Sequence, residues 1–492
     1  MSDTNITLKP GQQKAFDQIR AFIQDPKQRV FILKGYAGTG KTTLMRFLVQ
    51  HLQQIKKPYE LLAPTGRAAK VLSDLAIDNR FDDNAQAGRT IHSLIFRYNG
   101  FNREISDEEI KNNQATGQLS LVFDVVELDE NTKPTVYIVD EASLISDSPA
   151  QIITQAQFGS GQLLSELLNY DKRPESKYIF VGDPCQLPPV GDDLSPALSE
   201  QSFTPPALSA SLTEIMRQAE GNDLIRVSKQ IRSLIPSAPD NEQTYGNRKL
   251  WTKNPLRRCR NVQLHPDIND MVNHYVNNIK QNGYNNSIFV CQTNKQASQL
   301  SIQVRHMLGY QGDLPVQGDL LLVIQNNNLT GLVNGDMIEV TSISTRILKR
   351  SGLRFTPIRV KETISGREFS LLILLDTLNS STLNLNTDQQ TALFIDFCKR
   401  MNEQGITPKK NKEKFEEHLR TDPYLNALRC TYGYAVTCHK AQGGEWSHVY
   451  LNPMRNIGLN PTKQKYRWMY TAVTRSTESV YLLAFKDEMF GT

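Results

Sequence analysis

Residues 33–44, LKGYAGTGKTTL, constrain this chain more than any other stretch. Gly35, Gly40, Lys41 and Thr42 stand at the G-x-x-x-x-G-K-T spacing of a phosphate-binding loop. Glycines let successive backbone N–H groups turn inward on an anion. A lysine at this position reaches the β- and γ-phosphates, and the hydroxyl that follows it ligates Mg²⁺. Such a loop sits between a buried strand and the N-terminus of a helix, whose unpaired N–H groups face the anion. Both flanks are present: RVFIL reads as a short apolar strand, and TTLMRFLVQHLQQ carries helical periodicity. The chain therefore holds a nucleoside triphosphate site, with Gly35, Gly38, Gly40, Lys41, Thr42 and Thr43 as the cradle and Thr42 as a metal ligand.

From residue 30 to 217, apolar strands alternate with helical stretches, the pattern of a parallel α/β sheet. VFIL (30–33), YELLA (59–63), TVYIV (135–139) and KYIFV (177–181) each run directly into a polar sequence: KGYAGTGKT, PTGRAAK, DEAS and GDPCQLPPVG. Ligands of open parallel sheets bind at the carboxyl ends of strands, so these loops imply one shared site. Asp140 and Glu141 end an apolar strand, a poor place for two adjacent acids without a function. Asp140 is read as a Mg²⁺ ligand acting through water, and Glu141 as the base that orients an attacking water. Gln186, in a proline-flanked turn, is either a γ-phosphate sensor or an ordinary turn residue.

A second α/β pattern begins at 287–307 and resumes at 430–486. Between the two halves, GDLLLVIQNN, NGDMIEVTSIS and FSLLILL look like antiparallel strands, and KRMNEQGITPKKNKEKFEEHLR is charged and helical in pattern. This region reads as an insertion. Its basic run at 408–414 is a solvated helix face or a nucleic-acid patch. Residues 95–134 also break the alternation: IFRYNGFNREI is aromatic and turn-rich, and LSLVFDVVEL is β-prone.

A length of 492 residues implies about three or four structural units. No apolar run approaches the ~20 residues of a membrane span, and MSDTNITLKP lacks the apolar core of a signal peptide. Six cysteines without a C-x-x-C pair point to a reducing compartment and away from zinc or iron–sulfur centres. Cys430 and Cys438 read as buried thiols. A net charge of +5 permits a nucleic-acid partner without requiring one.

The order of these motifs resembles superfamily 1 helicases of the 1B, RecD/Dda-like branch. LKPGQQKAF (8–16) resembles the adenine-reading segment, with Gln12 as its glutamine. APTGRAA and TIHSL resemble the strand-contacting motifs Ia and Ib, and VDEAS and GDPCQLPPVG resemble motifs II and III. LTEIMRQ, VTCHKAQGGEW and MYTAVTRS resemble motifs IV, V and VI; motif V reads Gln442-Gly443-Gly444-Glu445, where relatives often carry Ser after the first Gly. The resemblance implies two RecA-like parallel-sheet domains in tandem, with a small insertion in the first and a β-rich, SH3-like insertion in the second. The expected bounds are 1–220 with a wedge subdomain at 95–134, then 221–308 plus 421–492, with 309–420 inserted.

On the same resemblance the nucleotide is ATP with Mg²⁺. Lys41, Glu141, Gln186 and the arginine fingers Arg217 and Arg475 form the catalytic set, and Asp140 is a metal ligand. Pro64, Thr65, His92, Asn294, Thr437, His439 and Lys440 would contact a single strand; as a lone residue, His92 reads equally well as a structural histidine. Phe96, Tyr98 and Phe101 would present a ring to the last base pair or form a small core. The implied activity is ATP-driven 5′→3′ translocation on single-stranded DNA with unwinding at single/double-strand junctions. The implied protein is a monomer in a bacterial cytoplasm, or a phage protein in that host, with a replication or single-strand-binding protein as partner. An RNA helicase of the same superfamily and a nucleotide-gated strand-loading protein remain as alternatives.

Overall fold

Strong local patterns become the expected strands. In the computed structural model, which describes residues 7–77, 87–102, 120–149, 156–214, 222–244, 255–327, 329–378, 380, 384–407, 410–453, 457 and 459–483, YELLA forms the strand Tyr59–Ala63 and VFIL opens Val30–Gly35. The first sheet runs in the order Arg89–Thr90, Tyr59–Ala63, Val136–Val139, Lys177–Gly182, Val30–Gly35, Leu208–Leu212. Every pairing in it is parallel. Continuous apolar runs suit this sheet because both faces are covered. Pro10–Gln24, Lys41–Gln54 and Gly66–Ile77 pack on one face, and Ile91–Ile95 and Leu163–Tyr170 on the other.

A second, wholly parallel sheet follows the order Val262–His265, Ser476–Leu483, Trp446–Asn452, Ser287–Cys291, Ala435–Thr437. Leu224–Leu234 and Lys463–Val473 cover one face, and Ile268–Asn282 and Asn294–Met307 the other. The two parallel sheets are the α/β lobes the alternation implied.

The β-rich unit is antiparallel and centres on Leu353–Glu362, whose alternating burial follows the alternation of LRFTPIRVKE. Its last strand departs from expectation. Cys430–Tyr432, placed by the sequence reading in the second α/β domain, pairs with Leu320–Val323 of the β-rich sheet. A three-residue apolar run fits either sheet, and long-range pairing decides between them. Helices Thr387–Glu403 and Lys412–Thr421 complete the insertion, and the latter buries Phe415 and Leu419. Lys412, Glu413 and Lys414 are exposed, so the described part of the basic run is a solvated helix face; residues 408 and 409 lie outside the described residues.

In the first lobe's insertion, Phe96–Phe101 pairs antiparallel with Leu121–Val125, which pairs in parallel with Ala156–Phe158. Residues 103–119 and the Phe101 side chain lie outside the described residues. Phe96 is 4% exposed in the lobe's core, and Tyr98 packs with Leu121 against the 387–421 helices, so these two rings are packing residues. Among the described residues no helix is long and apolar enough to cross a membrane.

Candidate nucleotide and strand site

The cradle follows from its glycines. Gly38 and Gly40 take φ of +75° and +76°, a region that side-chain-bearing residues avoid, and Gly40 caps the helix Lys41–Gln54. A Cβ on Gly35 would lie 2.5 Å from Lys41 Cγ, so a larger residue there would displace the lysine side chain. Lys41 Nζ donates to the carbonyl of Gly35 at 2.8 Å. Thr42 is exposed and Thr43 half-buried in the first helical turn. Gln12 is buried beside the loop; its Nε2 donates to Gly40 O at 3.2 Å, and its Oε1 accepts from Lys9 N–H at 3.1 Å.

Asp140 and Glu141 follow the strand Val136–Val139 in the same sheet. Burial, then the neighbouring Glu141 carboxylate, push Asp140 up to about 7, against the pull of Lys41. Glu141 holds φ +49°, a strained conformation for a side-chain-bearing residue. A half-buried acid repelled by its neighbour beside a phosphate cradle fits a divalent cation, which would favour its charged form.

The loop after Lys177–Gly182 joins the lobes. Asp183 is buried; its Oδ2 accepts from Ala37 N–H at 3.1 Å and from the Tyr470 hydroxyl at 2.7 Å. Gln186 is buried and meets Gln442 Nε2 at 3.5 Å, while Gln442 also donates to Leu187 O at 3.1 Å. Leu187 N–H donates to Thr471 Oγ1 at 2.9 Å. Arg232, from Leu224–Leu234, lies over the Tyr36 ring of the cradle, 3.5 Å from its centroid. Arg475 is 5% exposed, and its guanidinium donates to Thr471 O, Gly444 O and Thr474 Oγ1 within its own lobe. Arg217 lies outside the described residues.

Pro64 and Thr65 follow the strand Tyr59–Ala63, where Thr65 Oγ1 accepts from Ala68 N–H at 3.3 Å. Thr437 ends Ala435–Thr437 and is buried; His439 is exposed and Lys440 half-buried just beyond it. Burial lowers Lys440 to about 8, and it has no acidic partner among the described residues. An unpaired, half-buried ammonium is suited to an anion. Asn294 is exposed at the first turn of Asn294–Met307. His92 stands apart from a free stacking platform: its ring packs on Phe158 at 5.0 Å and Phe96 at 5.5 Å, and burial lowers its pKa. That is the structural-histidine reading.

Beside these residues the first lobe meets both the β-rich unit and the second lobe. Gly66 closes on Val333, Arg67 lies over the Trp446 ring at 5.0 Å, and Lys70 pairs with Asp336 and Glu362. Sequence reasoning missed Asp183, Tyr470, Thr471, Arg232 and this triad. The first three lie inside GDPCQLPPVG and MYTAVTRS; the others carried no local signal.

A phosphate cradle on one α/β lobe, bonded through side chains to a second, defines a nucleotide-binding P-loop protein of two lobes in tandem. Residues 7–241 match the AAA domain family and 432–483 the UvrD-like helicase C-terminal domain, together more than half of the chain. An uncharacterized protein, R530, of Acanthamoeba polyphaga mimivirus is 25% identical over 95% of this chain and 98% of its own. The ATP-dependent DNA helicase dda of Enterobacteria phage T4 is 28% identical over 46% of this chain; the match spans 43% of that protein, less than half its length. Among solved structures, a Pif1 helicase from Bacteroides in complex with ADP-AlF3 and ssDNA aligns with 99% of this chain and 95% of its own at TM-score 0.48 and 18% identity. By these matches the chain is similar to helicases of superfamily 1B.

Proposed function

We propose that this protein is an ATP-dependent DNA helicase that moves 5′→3′ on single-stranded DNA and separates strands at a junction. The observation that carries this reading is the polar seam in which one loop, 183–187, bonds both the phosphate cradle and the second lobe. A nucleotide that moves the cradle would necessarily bear on the relative placement of the lobes, and that placement moves a bound strand.

Lys41 exchanges the carbonyl of Gly35 for the phosphates, Gln12 faces the adenine, and Gly35, Gly38, Gly40 and Thr43 shape the cradle. A Mg²⁺ held by Thr42 and, through water, by Asp140 would neutralise phosphate charge. Glu141 orients the attacking water and takes its proton, while Gln186 senses the terminal phosphate. Arg217 and Arg475 stabilise charge developing on the transferred group, a contribution worth about 10³–10⁵ in rate for such fingers. Arg475 must first exchange its carbonyl partners, so the site completes only on closure.

Pro64, Thr65, Asn294, Thr437, His439 and Lys440 bind the strand through phosphate and sugar, giving sequence-tolerant contact. The chain acts as a monomer in a bacterial cytoplasm, its own host's or an infected one. Strand displacement on 5′-tailed and 3′-tailed duplexes tests the reading: unwinding confined to the 5′ tail is expected. Unwinding of the 3′-tailed duplex alone overturns the polarity, and ATP hydrolysis stimulated by RNA but not by matched DNA overturns the substrate.

A further inference from the structure

We infer that Tyr470 is a positioning residue for ATP hydrolysis, its hydroxyl tying the phosphate cradle and Asp183 of the first lobe to the helix that leads into Arg475 of the second. The inference deepens the ATPase reading above and rests on it.

Tyr470 lies in Lys463–Val473 and is 1% exposed. Its ring sits in the second lobe's core beside Trp468, Met469, Ala472 and Val473, where phenylalanine would serve packing equally well. The hydroxyl does something that packing does not require. It donates to Asp183 Oδ2 at 2.7 Å and accepts from Ala37 N–H at 3.2 Å, while that same N–H lies 3.1 Å from Asp183 Oδ2. Asp183 Oδ1 is fixed in turn by Cys185 N–H at 2.9 Å. One backbone donor of the cradle, one buried carboxylate and one hydroxyl thus close a ring across the two lobes. Among the described residues, Tyr470 is the second-lobe side chain whose hydrogen bond reaches the cradle's backbone.

Ala37 stands between Gly35 and Gly38, in the turn whose N–H groups receive phosphate. Any adjustment of that turn on nucleotide binding therefore changes the ring. On the other side, Arg475 Nε donates to the carbonyl of Thr471, the residue after Tyr470. A shift of the hydroxyl is passed within one helical turn to the arginine proposed to act on the transition state. A phenylalanine would keep the core and sever this connection.

The test is Tyr470→Phe, with Asp183→Asn and the double variant. Loss of one hydrogen bond to a charged group predicts a ten- to hundredfold fall in DNA-stimulated kcat, with KM for ATP within about threefold. The double variant should be no worse than the poorer single one, because both break the same ring. Hydrogen exchange with and without a non-hydrolysable ATP analogue supplies an arm independent of turnover. In the parent, the analogue should protect both the cradle and residues 463–475; in Tyr470→Phe, the cradle alone. A raised KM with kcat unchanged, additive effects in the double variant, or undiminished protection of 463–475 in Tyr470→Phe would each overturn the assignment. If the parent binds the analogue but hydrolyses nothing, the ATPase reading fails, and the exchange arm still decides whether Tyr470 connects the lobes.

Discussion

Replacing Lys70 by methionine keeps the length of the side chain and removes the cation that joins the first lobe to the β-rich unit. Lys70 Nζ donates to Glu362 Oε1 at 2.7 Å and to Asp336 Oδ2; both acid side chains are 3% exposed and that of the lysine 30%. Burial disfavours ionisation of both acids. At Glu362 the bonds from Lys70 and Ser365 outweigh burial and hold the carboxyl below its usual range, whereas Asp336 stays above its own. Breaking a buried pair by removing one partner costs about 3–5 kcal/mol. Two features reduce that here: Glu362 keeps Arg367 at 3.3 Å, and Asp336 can take up a proton. The expected loss is about 2–3 kcal/mol, roughly thirty- to one-hundred-and-fiftyfold in the docking equilibrium. Denaturant titration should report the lost stability. Hydrogen exchange should rise in Gly66–Ile77 and in the loop around Val333, where Gly66 now closes on the β-rich unit. Lys70→Met combined with Asp336→Asn should recover part of the loss, because it removes one of the two acids that Lys70 served while Glu362 keeps Arg367. A single variant as stable and as protected as the parent would refute the reasoning, as would a double variant worse than the single.

At the cradle, Lys41→Ala should abolish ATP hydrolysis, while Glu141→Gln should bind ATP normally and turn it over far more slowly; parental turnover in Glu141→Gln would remove its role as base. Shortening 103–119 should leave DNA-stimulated ATPase intact and abolish strand separation, whereas Phe96→Ala, which opens a cavity in a core, should cost about 3–5 kcal/mol of stability on denaturation and lower all activities together. Burial, then the charges of His265 and His448, hold His274 below its ordinary pKa while its Nδ1 pairs with the Tyr450 hydroxyl at 2.8 Å. The unfolded chain protonates this imidazole first, so its contribution is present above about pH 6.5 and lost as pH falls through the lower folded value. Unfolding midpoints at pH 7.5 and 5.5 should therefore differ less in His274→Gln than in the parent.

The cradle could be read directly because its code is local. Left-handed φ at Gly38 and Gly40, the missing Cβ at Gly35, and Lys41 one residue beyond Gly40 all fall within eight consecutive positions. The strands of the first sheet were equally plain, since a strand buried on both faces is a short apolar run wherever it occurs. Asp140 and Glu141 were legible from the contrast between such a run and two acids at its end.

Other features depend on residues far apart in the chain. Ala37, Asp183 and Tyr470 are separated by 146 and 287 residues, and each is unremarkable among its own neighbours. Lys70 and Asp336 look like ordinary surface charges until folding buries the acid and sets the ammonium against it. The ring of Phe96 could have faced DNA or the core, and Cys430–Tyr432 could have joined either sheet; in both cases the local pattern was satisfied by two answers. Backbone geometry and burial periodicity are written over a few residues, so they survive in the one-dimensional string. Hydrogen-bond partners and the choice of sheet are settled by which distant surfaces exclude water together, and only the assembled chain makes that selection.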